Sequence, residues 1–181
     1  SLSSSIKNQF KKASDEVKTA YNAIDKDAVF NGNASNINVL KTSVKQAVKE
    51  STGILDSKLT PASVAASKEI NKFISSFAKK KTSKKVPLKT FNEFDILRKK
   101  LGGYINAAKN QTDKATAISI KQEYDKFFDD VLDNLLFAGK EGDVLLKSNI
   151  KKARKLYKEK QDIFGVNPKK GPITIDDPAG K

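Results

Sequence analysis

The chain contains no cysteine, histidine, methionine or tryptophan, and only two arginines, Arg98 and Arg154. Without thiols there is no disulfide framework, thiolate nucleophile or Cys-ligated zinc. Without imidazole, Ser-His and Cys-His catalysis and His-ligated metals are excluded as well. No run approaches the roughly 20 apolar residues of a membrane span, and the Ser-rich start has no hydrophobic signal core. No segment is therefore expected to insert in or cross a membrane. A start at Ser1-Leu2-Ser3 with no methionine reads as a processed, internal or recombinant piece of a longer polypeptide.

What is present is lysine and helical periodicity. Thirty-five basic residues face 21 acidic ones over 181 residues, a net charge of +14. Such a field favours anionic partners, nucleic acid or acidic surfaces, but lysine-rich coding in an AT-rich genome would leave the same imprint on a merely solvated surface. Apolar residues make up 38% of the chain and recur at three- and four-residue steps, which predicts an all-α bundle of about six helices with short loops over residues 1–165. Residues 166–181, holding Pro168, Pro172 and Pro178, read as an irregular tail or linker.

The first helix is predicted over residues 4–30, from Ile6, Phe10, Ala13, Val17, Tyr21, Ile24 and Ala28, stopping at the positive-φ-tolerant Asn31-Gly32-Asn33. The second runs over 35–51 with Val39, Leu40, Val44, Ala47 and Val48 inward and Gly53 as its stop. Residues 55–59 are a connector. Thr60-Pro61 reads as N-cap and N1 of the third helix, with Val64, Ala65, Ile70, Phe73, Ile74 and Phe77 inward. Thr90-Phe91-Asn92-Glu93 is a capping box opening the fourth. Gly102-Gly103 inside that helix implies a bend or, the preferred reading, close packing of another backbone. Asp113 is expected to cap the fifth helix, which reaches residue 138 and carries Tyr124, Phe127, Phe128, Val131, Leu132, Leu135 and Leu136 as the centre of the core. Asp143 is expected to cap the sixth, ending at Gly165.

Two charge constellations stand out. Asp125, Asp129 and Asp133 form a carboxylate ladder on the fifth helix, but oxygens about 6 Å apart in rise are too spread to wrap one cation. Ion pairs to basic residues of the sixth helix are the simpler expectation. The other is basic. Lys79, Lys80, Lys81, Lys84 and Lys85 in one loop, and Lys151, Lys152, Arg154 and Lys155 on the sixth helix, are candidate nucleic-acid contacts, restricted to phosphate because no motif for reading bases accompanies them. No phosphate-cradling Gly-rich loop or nucleophile elbow occurs, so no catalytic, cofactor-binding or metal-ligating residue and no small-molecule substrate is expected.

The order of several short motifs resembles a helical segment of large tailed-bacteriophage and prophage proteins. These are Tyr21-Asn22-Ala23-Ile24-Asp25, Leu59-Thr60-Pro61, the stretch from Val86 through Thr90-Phe91-Asn92-Glu93 to Arg98, and Ile150 through Arg154 to Tyr157. The resemblance covers about residues 15–165 and departs in one respect, a lysine-rich surface where those relatives are rich in Arg, Ala and Glu. It implies a non-catalytic virion protein, an internal, ejection or tail-associated component. Its partners would be other virion proteins or further copies, its location the bacteriophage particle. A free-standing basic helical protein in the bacterial cytoplasm, binding nucleic acid without sequence preference, is the alternative.

Overall fold

The structure, a computed structural model, describes residues 2–32, 34–78, 89–134, 137–139, 142–164, 166–167 and 171–172. Six helices occur in this order: α1 (Leu2–Asn22), α2 (Ala34–Ser51), α3 (Pro61–Ala78), α4 (Phe91–Ala107), α5 (Gln111–Asp133) and α6 (Asp143–Phe164). Four two-residue strands complete it: β1 (Val29–Phe30) and β2 (Phe137–Ala138), then β3 (Val166–Asn167) and β4 (Gly171–Pro172). The all-α class read from periodicity holds. The chain divides into two compact units, one of Ser1–Asp25 with Glu141–Lys181 and one of Lys26–Lys140.

In the central unit α5 packs on α2, α3 and α4, and α3 packs on α4. The interior is aromatic, because the stripes of α3, α4 and α5 place Phe73, Phe91, Phe94, Tyr124, Phe127 and Phe128 inward. Phe94 sits among Phe73 and Phe137, each at 4.9 Å between centroids, and Phe30 at 5.4 Å. The Tyr124 hydroxyl, buried with its ring, donates to the Phe94 carbonyl at 2.5 Å and so costs no unsatisfied polar group.

Residues 24–30 do not continue α1. They bend and turn before entering β1, which pairs antiparallel with β2, Phe30 opposite Phe137. The same segment takes up the free amides opening α4: Phe91 N–H donates to the Ala28 carbonyl and Asn92 N–H to the Lys26 carbonyl. A helix through this stretch would have kept its carbonyls for itself. Gly32 has a different reason from the expected one. Its φ is not positive, but a Cβ there would fall 1.9 Å from the Phe30 ring, so the ring requires a glycine two residues on. Gly53 does stop α2 with φ +79°, its N–H closing on the Val48 carbonyl.

Several packing expectations change. Val39 is 56% exposed, and Ile37 is buried in its place. On α3 the buried apolar positions are Ala62, Ala66, Ile70 and Phe73, with Val64, Ala65, Ile74 and Phe77 half-buried. Among the described residues Gly102 and Gly103 have no neighbour for a Cβ within 4 Å, so none of those backbones packs closely there. Leu135 and Leu136 lie outside the described residues.

In the terminal unit α1 packs on α6. Leu146, Ile150, Ala153 and Phe164 of α6 are buried, and Phe10 meets Phe164 edge-on at 5.4 Å. Lys160 is buried too, its ammonium 4.9 Å from the centre of the Phe10 ring. A cation over an aromatic face offsets part of its lost hydration. β3 and β4 form a small antiparallel ladder where an irregular tail is expected, and Ile173-Thr174-Ile175 lies outside the described residues.

Candidate polyanion-binding face

Helix α6 holds seven basic residues against three acidic ones, Asp143, Glu159 and Asp162. Lys147, Lys151, Arg154, Lys155 and Lys158 follow at steps of four, three, one and three. That spacing lays them along one face over about 16 Å of helix axis. Lys151, Lys155 and Lys158 are exposed, while Lys147 and Arg154 are half-buried. The stripe runs beside the buried Leu146-Ile150-Ala153 seam, so packing of that seam on α1 turns the basic face outward. The carboxylate of Glu159 reaches Lys155 only at 4.0 Å, both side chains being largely exposed, and such a pair neutralises little.

Of the sequence-predicted contacts, Lys151, Arg154 and Lys155 share this stripe. Lys152 points away from it, into a groove of about 760 Å³ between α1 and α6. The groove is lined by Lys11 and Lys12 but equally by Asp15 and Glu16, so it has no single sign of charge. Lys79, Lys80, Lys81, Lys84 and Lys85 lie outside the described residues. Tyr157, 37% exposed, is the solvent-facing ring of α6, and one ring is not the row of platforms on which successive bases stack.

Within the carboxylate ladder, Asp125 pairs with Lys121 of its own helix at 2.7 Å. Among the described residues no group of three or more acidic side chains is placed to hold a metal ion.

The buried charged groups of the central unit have structural work. Asp95 accepts from Arg98 at 2.9 Å and Lys99 at 3.1 Å. Asp113, fully buried, does not cap α5; Asn110 does, its side chain accepting from Asp113 N–H. The Asp113 carboxylate instead caps α3, accepting from Ala62 N–H at 2.9 Å and Ser63 N–H at 2.8 Å, while the Ser63 hydroxyl donates to it at 2.7 Å. Thr60, expected in that role, is bonded both ways with Asp56. The sequence carried the cap signal, Asx near a helix start, but not the partner, which is 50 residues away.

No helix among the described residues is long and apolar enough to cross a membrane. No family model matches the sequence, and no curated protein or solved structure matches it either.

Proposed function

We propose that this chain is a non-catalytic structural and interaction domain of a bacteriophage virion protein, an internal or ejection component near packaged DNA, with the α6 stripe as its phosphate contact. The observation that carries the DNA contact is the placement of Lys147, Lys151, Arg154, Lys155 and Lys158 on one helical face. Regularly spaced cations suit a phosphate backbone, and without base-reading side chains the contact is sequence-independent. The virion setting rests on the order of motifs that resembles tailed-phage proteins, and the non-catalytic reading is supported by the structural use of Asp95 and Asp113. Other virion proteins or further copies of the chain are its partners.

Duplex DNA titrated by fluorescence anisotropy at several salt concentrations tests the contact. Affinity falls steeply with salt and is indifferent to sequence. Replacing Lys151, Arg154, Lys155 and Lys158 with Ser flattens the slope of log affinity against log salt by up to about 0.9 per lost contact. No duplex binding at low salt refutes the contact. A parent reading frame lying away from capsid, portal and tail genes refutes the virion setting and favours the free-standing basic protein.

A further inference from the structure

The loop joining α2 to α3 displays two large aliphatic side chains almost wholly in water, Ile54 at 81% and Leu59 at 69% exposure. The second half of the loop is held by its own hydrogen bonds. The Asp56 carboxylate accepts from Lys58 N–H at 2.7 Å and Leu59 N–H at 2.9 Å. The Thr60 hydroxyl accepts from Asp56 N–H and donates to the Asp56 carbonyl, and Thr60 N–H donates to that carbonyl at 2.7 Å. From α5, the Asn110 amide donates to the Leu59 carbonyl at 2.9 Å. Residues 56–60 are thereby held with Leu59 in water.

Three exposed lysines lie on the loop or on the segment bonded to it, while the exposed Glu50 at the end of α2 accepts from Gln46. Lys58 adjoins Leu59, Lys109 precedes the Asn110 that holds Leu59, and the Lys114 N–H donates to the Asn110 carbonyl. All three lysines are exposed, and among the described residues none pairs with a carboxylate. The sole exposed carboxylate of the loop, Asp56, is committed to the loop backbone.

We propose that this loop docks the protein on an anionic lipid surface, Ile54 and Leu59 dipping among the headgroups while Lys58, Lys109 and Lys114 lie against lipid phosphates. Charge complementarity selects the occupant: exposed aliphatic side chains with unpaired lysines on the loop and on the segment bonded to it meet both requirements of a negatively charged bilayer surface. A protein partner would need a matching hollow, whereas a fluid bilayer closes around any protrusion. The contact lies on the membrane rather than across it, and involves residues separate from the α6 stripe.

Cosedimentation of the full chain with phosphatidylcholine vesicles, with and without about 30% phosphatidylserine, tests this at low salt. Binding is expected only to the anionic vesicles. Ile54→Ser with Leu59→Ser lowers lipid affinity about tenfold or more, and each of Lys58→Ser, Lys109→Ser and Lys114→Ser lowers it about fivefold. These side chains are exposed, so the variants keep the parent's melting temperature. Because the chain lacks cysteine, a polarity-sensitive dye on Ser57→Cys reports from this loop alone, and its emission shifts to the blue on anionic vesicles. No binding, equal binding to neutral vesicles, or binding lost with Lys151, Lys155 and Lys158 but retained without Ile54 and Leu59 overturns the proposal. Oligomers that need Ile54 and Leu59, with no vesicle binding, overturn it in favour of a contact between copies.

Discussion

The two compact units solve the problem of burying a helix face in different ways. The central unit surrounds α5 with three helices and fills the space with aromatic rings, so Phe94 alone lies within 6.1 Å of Phe30, Phe73, Phe127, Phe128 and Phe137. The terminal unit rests on the pairing of α1 with α6, with one ring pair among the described residues, Phe10 and Phe164, and a lysine packed over it. A helix with three packing neighbours has little surface left for charge. Within its own unit α6 packs chiefly on α1, and Lys151, Lys155 and Lys158 are among its exposed positions. Ring packing is concentrated in one unit and the candidate phosphate contact lies in the other.

The largest effect should come from the aromatic centre. Phe94→Ala is expected to destabilise by about 3–5 kcal/mol, read by denaturant unfolding, since the surrounding rings cannot collapse into the space. A loss under about 1 kcal/mol would break the contrast between the units.

Next is Asp113→Ala, expected to cost about 2–3 kcal/mol by leaving the Ala62 and Ser63 amides buried without an acceptor. Hydrogen exchange would show those two amides deprotected first. In the terminal unit Phe10→Ala should cost only about 1–2 kcal/mol, because Phe10 is half-buried and its main partner is a single ring. Amides of α1 and α6 should also exchange faster than those of α5.

Smaller still, and opposite in sign, Gly102→Ala and Gly103→Ala should each stabilise by about 0.5–1 kcal/mol, because a Cβ meets nothing there and neither φ is positive. A melting temperature lowered by either change would mean that α4 needs its glycines.

The smallest effect is local. The Leu59 amide first, and then the Lys58 amide, hold the Asp56 carboxyl below its ordinary 3.8. A carboxyl lowered in the folded state adds stability that is complete above its unfolded value and lost as pH falls through the folded one. The Asp56 carboxyl resonance should therefore titrate with a midpoint below 3.8, and the loop amides should lose protection only beneath it.

Much of the fold was legible because its signals are local. The Thr90 capping box is present as read, with Thr90 N–H on Glu93 and the threonine hydroxyl accepting from Glu93 N–H. Pro61 opens α3, and Gly53 ends α2. The misreadings share a cause. Ile24 and Ala28 continue the apolar step of α1 and are buried, so periodicity extended the helix to residue 30, while the carbonyls of residues 26 and 28 go to α4. Val39 and Ile37 both fit an apolar stripe, and which faces inward depends on where α5 lies. The basic side of the candidate site was legible on α6 because helical spacing is fixed by the backbone. The exposed pair Ile54 and Leu59 was not, since a short connector carries no period from which to read direction.

The sequence by itself determined six amphipathic helices, most of their ends and the line of basic residues on α6, because each depends on groups a few positions apart. The tertiary structure alone decided that a carboxylate on α5 would cap α3, that Phe30 would leave the helix for a strand beside Phe137, and that Lys160 would lie over a ring of α1. Each satisfies a buried group with a partner far along the chain, and the strength of such a bond depends on a distance in space that spacing in sequence does not encode.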